Sequence, residues 1–409
     1  MRVVVSGIGV ISPHGDNPGA MFEALMKGQS AIRQVFPELP KPAAAATAAF
    51  EVSRWFTLLQ LAGVDRVSQI AVAAADLALT DAGLGRGPAL GAEPERVGIY
   101  SGCGMGGATA LDTAYQAGSR GGRIPPLTIP AFMPNAPAAH VAMRNGVKGP
   151  VITYSVACAS AAVAIAEAAK AIRAGEIDIA IAGGSEALIV PGVVAAWQAM
   201  QTLATFAAGE AATSCRPFAA ERSGFVLGEG AAFLVLESAA HAAARGARAY
   251  AELAGSGLSS DASHLTKPDA PGQARALRAA LAQAGLQPAD VGYCNAHGTA
   301  TKVGDVVEAE ALREVWGTHI DALQVSSTKA LHGHLLGATG GLEAAITVLA
   351  LHQGRLPPNA HVDSVDPACA LNLVNGPGGH GVASPHLRAA ISNSFAFGGT
   401  NSVLLFTRV

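Results

Sequence analysis

Charged and aromatic side chains are both scarce in this 409-residue chain, at 14% and 5% of its residues. The 27 basic and 30 acidic residues leave a net charge of −3, and no block of like charge stands out. Nucleic acid demands a basic face, so it is excluded as a partner. Cysteine is sparse too: Cys103, Cys158, Cys215, Cys294 and Cys369 are widely spaced, odd in number and contain no CxxC pair. That argues against a disulfide framework and a structural zinc site, and it fits a reducing compartment. Long hydrophobic runs are missing as well. The longest uncharged stretch, Ala187 to Gly209, contains Pro191, Gly192, Gln198 and Gln201, which break or wet a spanning helix. The apolar start, Val3-Val4-Val5-Ser6-Gly7, is too short and Gly-broken for a signal peptide and reads as a buried strand. The expectation is a cytoplasmic protein with no membrane contact. What is abundant is apolar: half of the residues are hydrophobic, which excludes disorder. A chain of this length buries roughly three quarters of its unfolded surface.

Short apolar runs alternate with Ala-rich helical stretches, the pattern of an α/β protein with covered sheets. Strands are expected at Arg2–Gly7, Arg96–Tyr100, Val151–Val156, Ile177–Ala182, Ala231–Glu237, Ala251–Gly255, Val291–Asn295, Ala322–Ser326, Ala389–Asn393 and Val403–Thr407. Helices Gln69–Ala82, Ser160–Ala174 and Gln273–Ala284 each stop at a glycine (Gly83, Gly175, Gly285) suited to a left-handed C-terminal turn. The two halves, 1–247 and 248–409, look related. Ser6-Gly7-Ile8-Gly9-Val10-Ile11-Ser12 resembles Ala254-Gly255-Ser256-Gly257-Leu258-Ser259-Ser260, and Arg96–Tyr100 parallels Asp290–Cys294. A strand followed by a special helix start recurs at Val156–Ser160 and Val325–Gly341. No Pro- or Ser-rich linker separates the halves, so a site is expected at their junction.

Cys158 lies in Ser155-Val156-Ala157-Cys158-Ala159-Ser160, between a buried strand and a long helix. Helix-start amides stabilise a thiolate and lower its pKa, although most unpaired cysteines are merely small hydrophobes. His297 follows an apolar strand in Asn295-Ala296-His297-Gly298-Thr299-Ala300-Thr301. Lys329 and His334 lie in Ser326-Ser327-Thr328-Lys329-Ala330-Leu331-His332-Gly333-His334, before a helix Gly341–Leu351 whose Leu342, Ala345, Ile346 and Leu349 fit one buried face. A lysine and histidines beside an apolar helix can serve as donors to a developing oxyanion. Zinc is the alternative ligand of such histidines, but no carboxylate-rich or HExxH context supports a metal. The glycine-rich Asn393-Ser394-Phe395-Ala396-Phe397-Gly398-Gly399-Thr400-Asn401 suits a loop that gates a pocket. Gly102-x-Gly104-x-x-Gly107 matches a dinucleotide fingerprint, yet the acidic residue needed about 20 positions on is replaced by the loop Ser119–Pro126.

Together these motifs resemble the β-ketoacyl-acyl-carrier-protein synthases, the class I/II elongating condensing enzymes of the thiolase superfamily. The resemblance spans nearly the whole chain, including Gly149-Pro150, Ile181–Glu186 and Arg222–Gly230. It implies a duplicated thiolase fold, five layers α-β-α-β-α, and an acyltransferase performing decarboxylative Claisen condensation. Cys158 would be the nucleophile, His297 and His334 the catalytic histidines, Lys329 their electrostatic support, and the amides of Cys158 and Phe397 the oxyanion hole. Thr299 and Thr301 would hold the pantetheine arm, with Met105, Phe225, Phe395, Phe397 and Gly398 around the substrate and Glu343 structural. Acyl- and malonyl-acyl carrier protein would be the substrates, docking near Arg120 and Arg123, with no cofactor beyond the carrier's phosphopantetheine. The implied assembly is a homodimer, or a heterodimer with a chain-length factor, serving fatty acid elongation or alternatively a type II polyketide or polyene pathway. Ala396, His332 and Ser223 replace the family's usual Gly, Thr and Asp, and Gln34–Thr57 matches poorly.

Overall fold

The computed structural model describes residues 1–409. Ten strands form one hydrogen-bonded sheet. In chain order they are β1 (Val3–Ile11), β2 (Val97–Gly102), β3 (Val151–Tyr154), β4 (Ile179–Glu186), β5 (Gly230–Ser238), β6 (Ala251–Ser260), β7 (Tyr293–Asn295), β8 (Gln324–Ser326), β9 (Ala389–Phe395) and β10 (Thr400–Thr407). Their spatial order is β3-β2-β4-β5-β1-β6-β10-β9-β7-β8. Read outward from the middle, β1 and β6 each meet an antiparallel neighbour, then a second, then two parallel ones. The five strands of the first half thus recur in the same order in the second. Only Val4–Glu252 and Val5–Ala251 pair across the seam.

Five helices make the layers: α1 (Arg66–Asp81), α2 (Ser160–Arg173), α3 (Ala270–Ala284), α4 (Gly304–Trp316) and α5 (Thr339–Gln353). Helix α1 covers the outer face of the first half-sheet, while α3, with α4 against it, covers the second. Helices α2 and α5 pack on each other and on strands of both halves, forming the middle layer. The result is the expected α-β-α-β-α stack. Its position explains why α5 is buried on every face from Thr339 to Leu351 rather than on one stripe.

The internal likeness of the sequences has a steric origin. A Cβ on Gly7 or Gly9 would stand 2.3 Å from Ala78 O or 2.0 Å from Ala74 O of α1. On Gly255 or Gly257 it would meet Ala280 O at 2.3 Å or Ala276 O at 1.9 Å in α3. Each half lays a Gly-x-Gly strand against an Ala-x-x-x-Ala helix, because only hydrogen and methyl groups permit that approach.

The sheet's two ends differ. Strand β8 is capped, since Val325 N donates to Asn372 O at 2.9 Å and Val374 N donates to Val325 O at 2.8 Å. Strand β3 has no such cover, and Val151 and Ile152 are both exposed. The poorly matched region enters a small separate sheet, in which Arg33–Val35 and Ala43–Ala46 are joined by Leu227–Gly228 from a well-matched segment. No helix is long and apolar enough to cross a membrane.

Candidate active site

The N-terminal ends of α2 and α5 meet in the middle layer. A Cβ on Gly340 would lie 2.8 Å from Ala162 N, so the two backbones approach without intervening side chains. Cys158, two residues before α2, and His334, five before α5, are thereby brought together: Cys158 Sγ is 3.1 Å from His334 Nε2. The turn holding Cys158 is tight, with Ala157 at φ +47°. Ser160 pins it, its Oγ accepting from Val156 N at 3.0 Å and donating to Ala157 O at 2.6 Å. Leu336 has the matching left-handed φ, +46°, in the turn before α5.

His297 enters from the end of β7. Its backbone N and that of Gly298 both donate to the Glu308 carboxylate, at 2.8 and 2.7 Å, and Asn393 Nδ2 donates there too, at 3.0 Å. The His297 and His334 rings meet edge to face at 5.4 Å. The Cys158, His297 and His334 ligand atoms lie within 4.8 Å of one another, and the set contains no carboxylate. Behind them Lys329, fully buried, donates to Glu343 Oε1 at 2.5 Å.

Electrostatics corrects one expectation. Burial pushes the Cys158 thiol up to about 11, although the Lys329 charge and the amides of Phe397 and Cys158 itself pull the other way. The resting group is a thiol. Both histidines are held well below the usual imidazole value, first by burial, then by the Lys329 charge and a neighbouring imidazole. Burial also raises Glu343, to about 7, against the opposing Lys329 charge.

Cys158, His297 and His334 lie on a cleft of about 360 Å³, whereas Lys329 and Glu343 are not part of its lining. Thr299, Thr301, Phe225, Phe395 and Phe397 line it together with Cys158 and both histidines. Gly398 and Met105 do not. Gly398 N is turned to Leu265 O at 2.7 Å. Met105 is 44% exposed, and its backbone N–H donates to Glu186 Oε1. His332, though buried, bonds to Thr328 Oγ1 and Gly333 O and lies outside the lining. Arg120 and Arg123 are exposed beyond the helix Ala108–Ser119.

Sequence reasoning missed Trp197, whose ring stacks on Phe397 at 6.4 Å and meets Phe225 at 5.4 Å. Its signal was the uncharged stretch weighed as a membrane span: Trp197, Met200, Gln201 and Thr202 form a cleft wall. The glycine cluster that imitates a nucleotide motif is likewise steric. A Cβ on Gly102 would strike Ala161 N at 2.2 Å, on Gly104 Glu186 Oε2 at 2.5 Å, and on Gly107 Ala131 O at 2.3 Å.

A thiol at a helix start, two neutral imidazoles and a duplicated five-layer α/β fold define a condensing acyltransferase of thiolase-like architecture. Residues 1–242 match the N-terminal domain of β-ketoacyl synthases and residues 250–363 the C-terminal domain. The chain belongs to the β-ketoacyl synthase family. It is 42% identical to nodulation protein E of Rhizobium meliloti, over all of this chain and 99% of that one. It is 37% identical to 3-oxoacyl-[acyl-carrier-protein] synthase 2 of Staphylococcus aureus, over all of this chain and 98% of that one. Among solved structures, the ishigamide ketosynthase/chain length factor superposes with a TM-score of 0.90 at 31% identity, over all of this chain and 99% of that one.

Proposed function

We propose that this protein condenses an acyl thioester with a malonyl thioester, both carried on the phosphopantetheine arm of acyl carrier protein. Cys158 Sγ attacks the acyl carbonyl, the carrier's thiol leaves, and an acyl-cysteine remains. The malonyl thioester then loses CO₂. Its enolate oxygen accepts hydrogen bonds from His297 and His334, and the carbanion attacks the acyl-cysteine. The tetrahedral oxyanion accepts from the amides of Cys158 and Phe397 before Cys158 is expelled, leaving a β-ketoacyl chain two carbons longer. Neutral imidazoles suit this task, because each keeps one N–H to donate in a water-poor pocket. Lys329 supplies positive charge behind them, Glu343 holds its ammonium group in place by accepting its hydrogen bond, and Thr299 and Thr301 hold the arm. Residues 1–247 contribute the thiol, and residues 248–409 the imidazoles. The observation that carries this reading is the 3.1 Å contact between Cys158 Sγ and His334 Nε2 at the cleft, with His297 beside them.

The bare β3 edge, with Val151 and Ile152 exposed, fits a second copy of this chain or a chain-length factor. Housekeeping fatty acid elongation is the first reading. A type II polyketide or polyene pathway is the second, and the likeness to a ketosynthase/chain length factor supports it. The test is mass spectrometry of protein incubated with acyl carrier protein thioesters. Wild type gains one acyl group on Cys158, and Cys158→Ala gains none yet still decarboxylates the malonyl thioester. His297→Ala and His334→Ala each slow decarboxylation by about 10²–10³-fold. Acylation of Cys158→Ala at another residue overturns the assignment.

A further inference from the structure

Thr339 opens α5 with its side chain fully buried, and its Oγ1 lies 2.8 Å from His334 Nδ1. The fold's internal repeat shows how particular this contact is. Ser160 opens α2 three residues after the left-handed Ala157, as Thr339 opens α5 three residues after the left-handed Leu336. Ser160 spends its hydroxyl on its own turn, bonding Val156 N and Ala157 O. The Thr339 hydroxyl makes neither of the equivalent bonds, and the imidazole is its sole partner.

We propose that Thr339 is a positioning residue that fixes the tautomer of His334, a role that rests on the condensing reaction argued above. A neutral imidazole carries one N–H. If that hydrogen sat on Nδ1, it would donate to Oγ1, and the buried Thr339 hydroxyl hydrogen would have no acceptor. With the hydroxyl donating to Nδ1, no hydrogen of this pair is orphaned and the ring N–H is Nε2–H. That atom faces Cys158 Sγ at 3.1 Å. Sulfur accepts this bond as thiol or as thiolate, so the donor stays aligned in both states. The same N–H is then directed at the enolate oxygen during decarboxylation, whereas the other tautomer presents a lone pair that repels it. Burial, which keeps the ring neutral, makes the tautomer decisive.

The test compares the full-length wild type with Thr339→Val, which keeps the shape and removes the hydroxyl, and Thr339→Ser, which restores it. Nitrogen-15 NMR of labelled histidine, with His334→Gln used for assignment, reads the tautomer without any substrate. Wild type and Thr339→Ser show His334 protonated on Nε2, and Thr339→Val shows Nδ1–H appearing. Decarboxylation kcat falls about tenfold in Thr339→Val, the ratio one neutral hydrogen bond commands, with KM unchanged and kcat recovered by serine. Wild-type His334 protonated on Nδ1 overturns the proposal, whether or not the variants fold. So does a folded Thr339→Val with wild-type tautomer and rate, or a serine variant as slow as valine. Should wild type fail to decarboxylate malonyl thioesters, the functional reading fails, and the tautomer measurement still decides the role of Thr339.

Discussion

Replacing Gly102 by alanine tests how the nucleophile is placed. Gly102 ends β2 directly beneath the first turn of α2. Its Cβ would lie 2.2 Å from Ala161 N, 2.4 Å from Ser160 C and 2.5 Å from Ala161 Cα, all of them backbone. Ordinary contact begins at 3.4 Å, so α2 must move by about 1.2 Å, with no flexible side chain to absorb the change. Cys158 immediately precedes that turn and would move with it, away from a partner now 3.1 Å distant. A displacement of about 1 Å at a reacting group lowers the rate on the order of 10²-fold, and the overpacking itself costs about 1–3 kcal/mol of stability. The assay is single-turnover acylation of Cys158 followed by mass spectrometry, beside a thermal melt. Gly192→Ala is the matched control: it lies in the helix Pro191–Ala199, and its added methyl meets nothing nearer than Asp112 Oδ1 at 3.4 Å. A Gly102→Ala protein that acylates and melts like wild type would refute the claim that backbone contact positions the thiol.

Other outcomes follow from the same geometry. Because burial holds the Cys158 thiol near 11, alkylation of the free protein by iodoacetamide is slow at neutral pH and rises until about pH 11. Removing the Lys329 charge, as Lys329→Met with Glu343→Gln to avoid a stranded carboxylate, moves that profile to higher pH; a plateau below pH 9 in wild type contradicts the burial argument. Ile152→Lys on the bare β3 edge yields a monomer in analytical ultracentrifugation, whereas an unchanged sedimentation coefficient removes that edge as the assembly surface. Arg120→Glu with Arg123→Glu weakens use of carrier-bound substrate at low salt and leaves Cys158 alkylation untouched; equal kinetics at low salt dismisses this patch.

Every strand of the ten-stranded sheet was legible as a short apolar run, because covered sheets demand continuous β-branched or small residues. The strand ends were not. Strands β4, β6, β9 and β10 continue through Gly, Ser and Asn, residues whose extended state is set by neighbouring strands rather than by propensity. Ala43–Ala46 is a strand for the same reason, held between Arg33–Val35 and Leu227–Gly228 although alanine favours helix. Cys158, His297, His334 and Lys329 could be picked from local motifs, since each follows a strand. Glu308, Trp197 and Thr339 could not, because what marks them is contact with a residue far away in the chain or a hydrogen bond that spacing does not encode.

The repeat also divides labour between two positions that the fold makes equivalent. Each central helix begins beside a left-handed residue, and each beginning faces the other across a gap too narrow for side chains. One beginning carries the sulfur, and the corresponding turn of the other is preceded by the imidazole. The seam strands share only two residue pairs, so the register between these helix ends is set by the interlocked middle layer. A chain severed between Ser238 and Ala251 would keep both half-sheets intact while separating the sulfur from its histidines, and its activity would report reassembly of the central helices rather than folding of either piece.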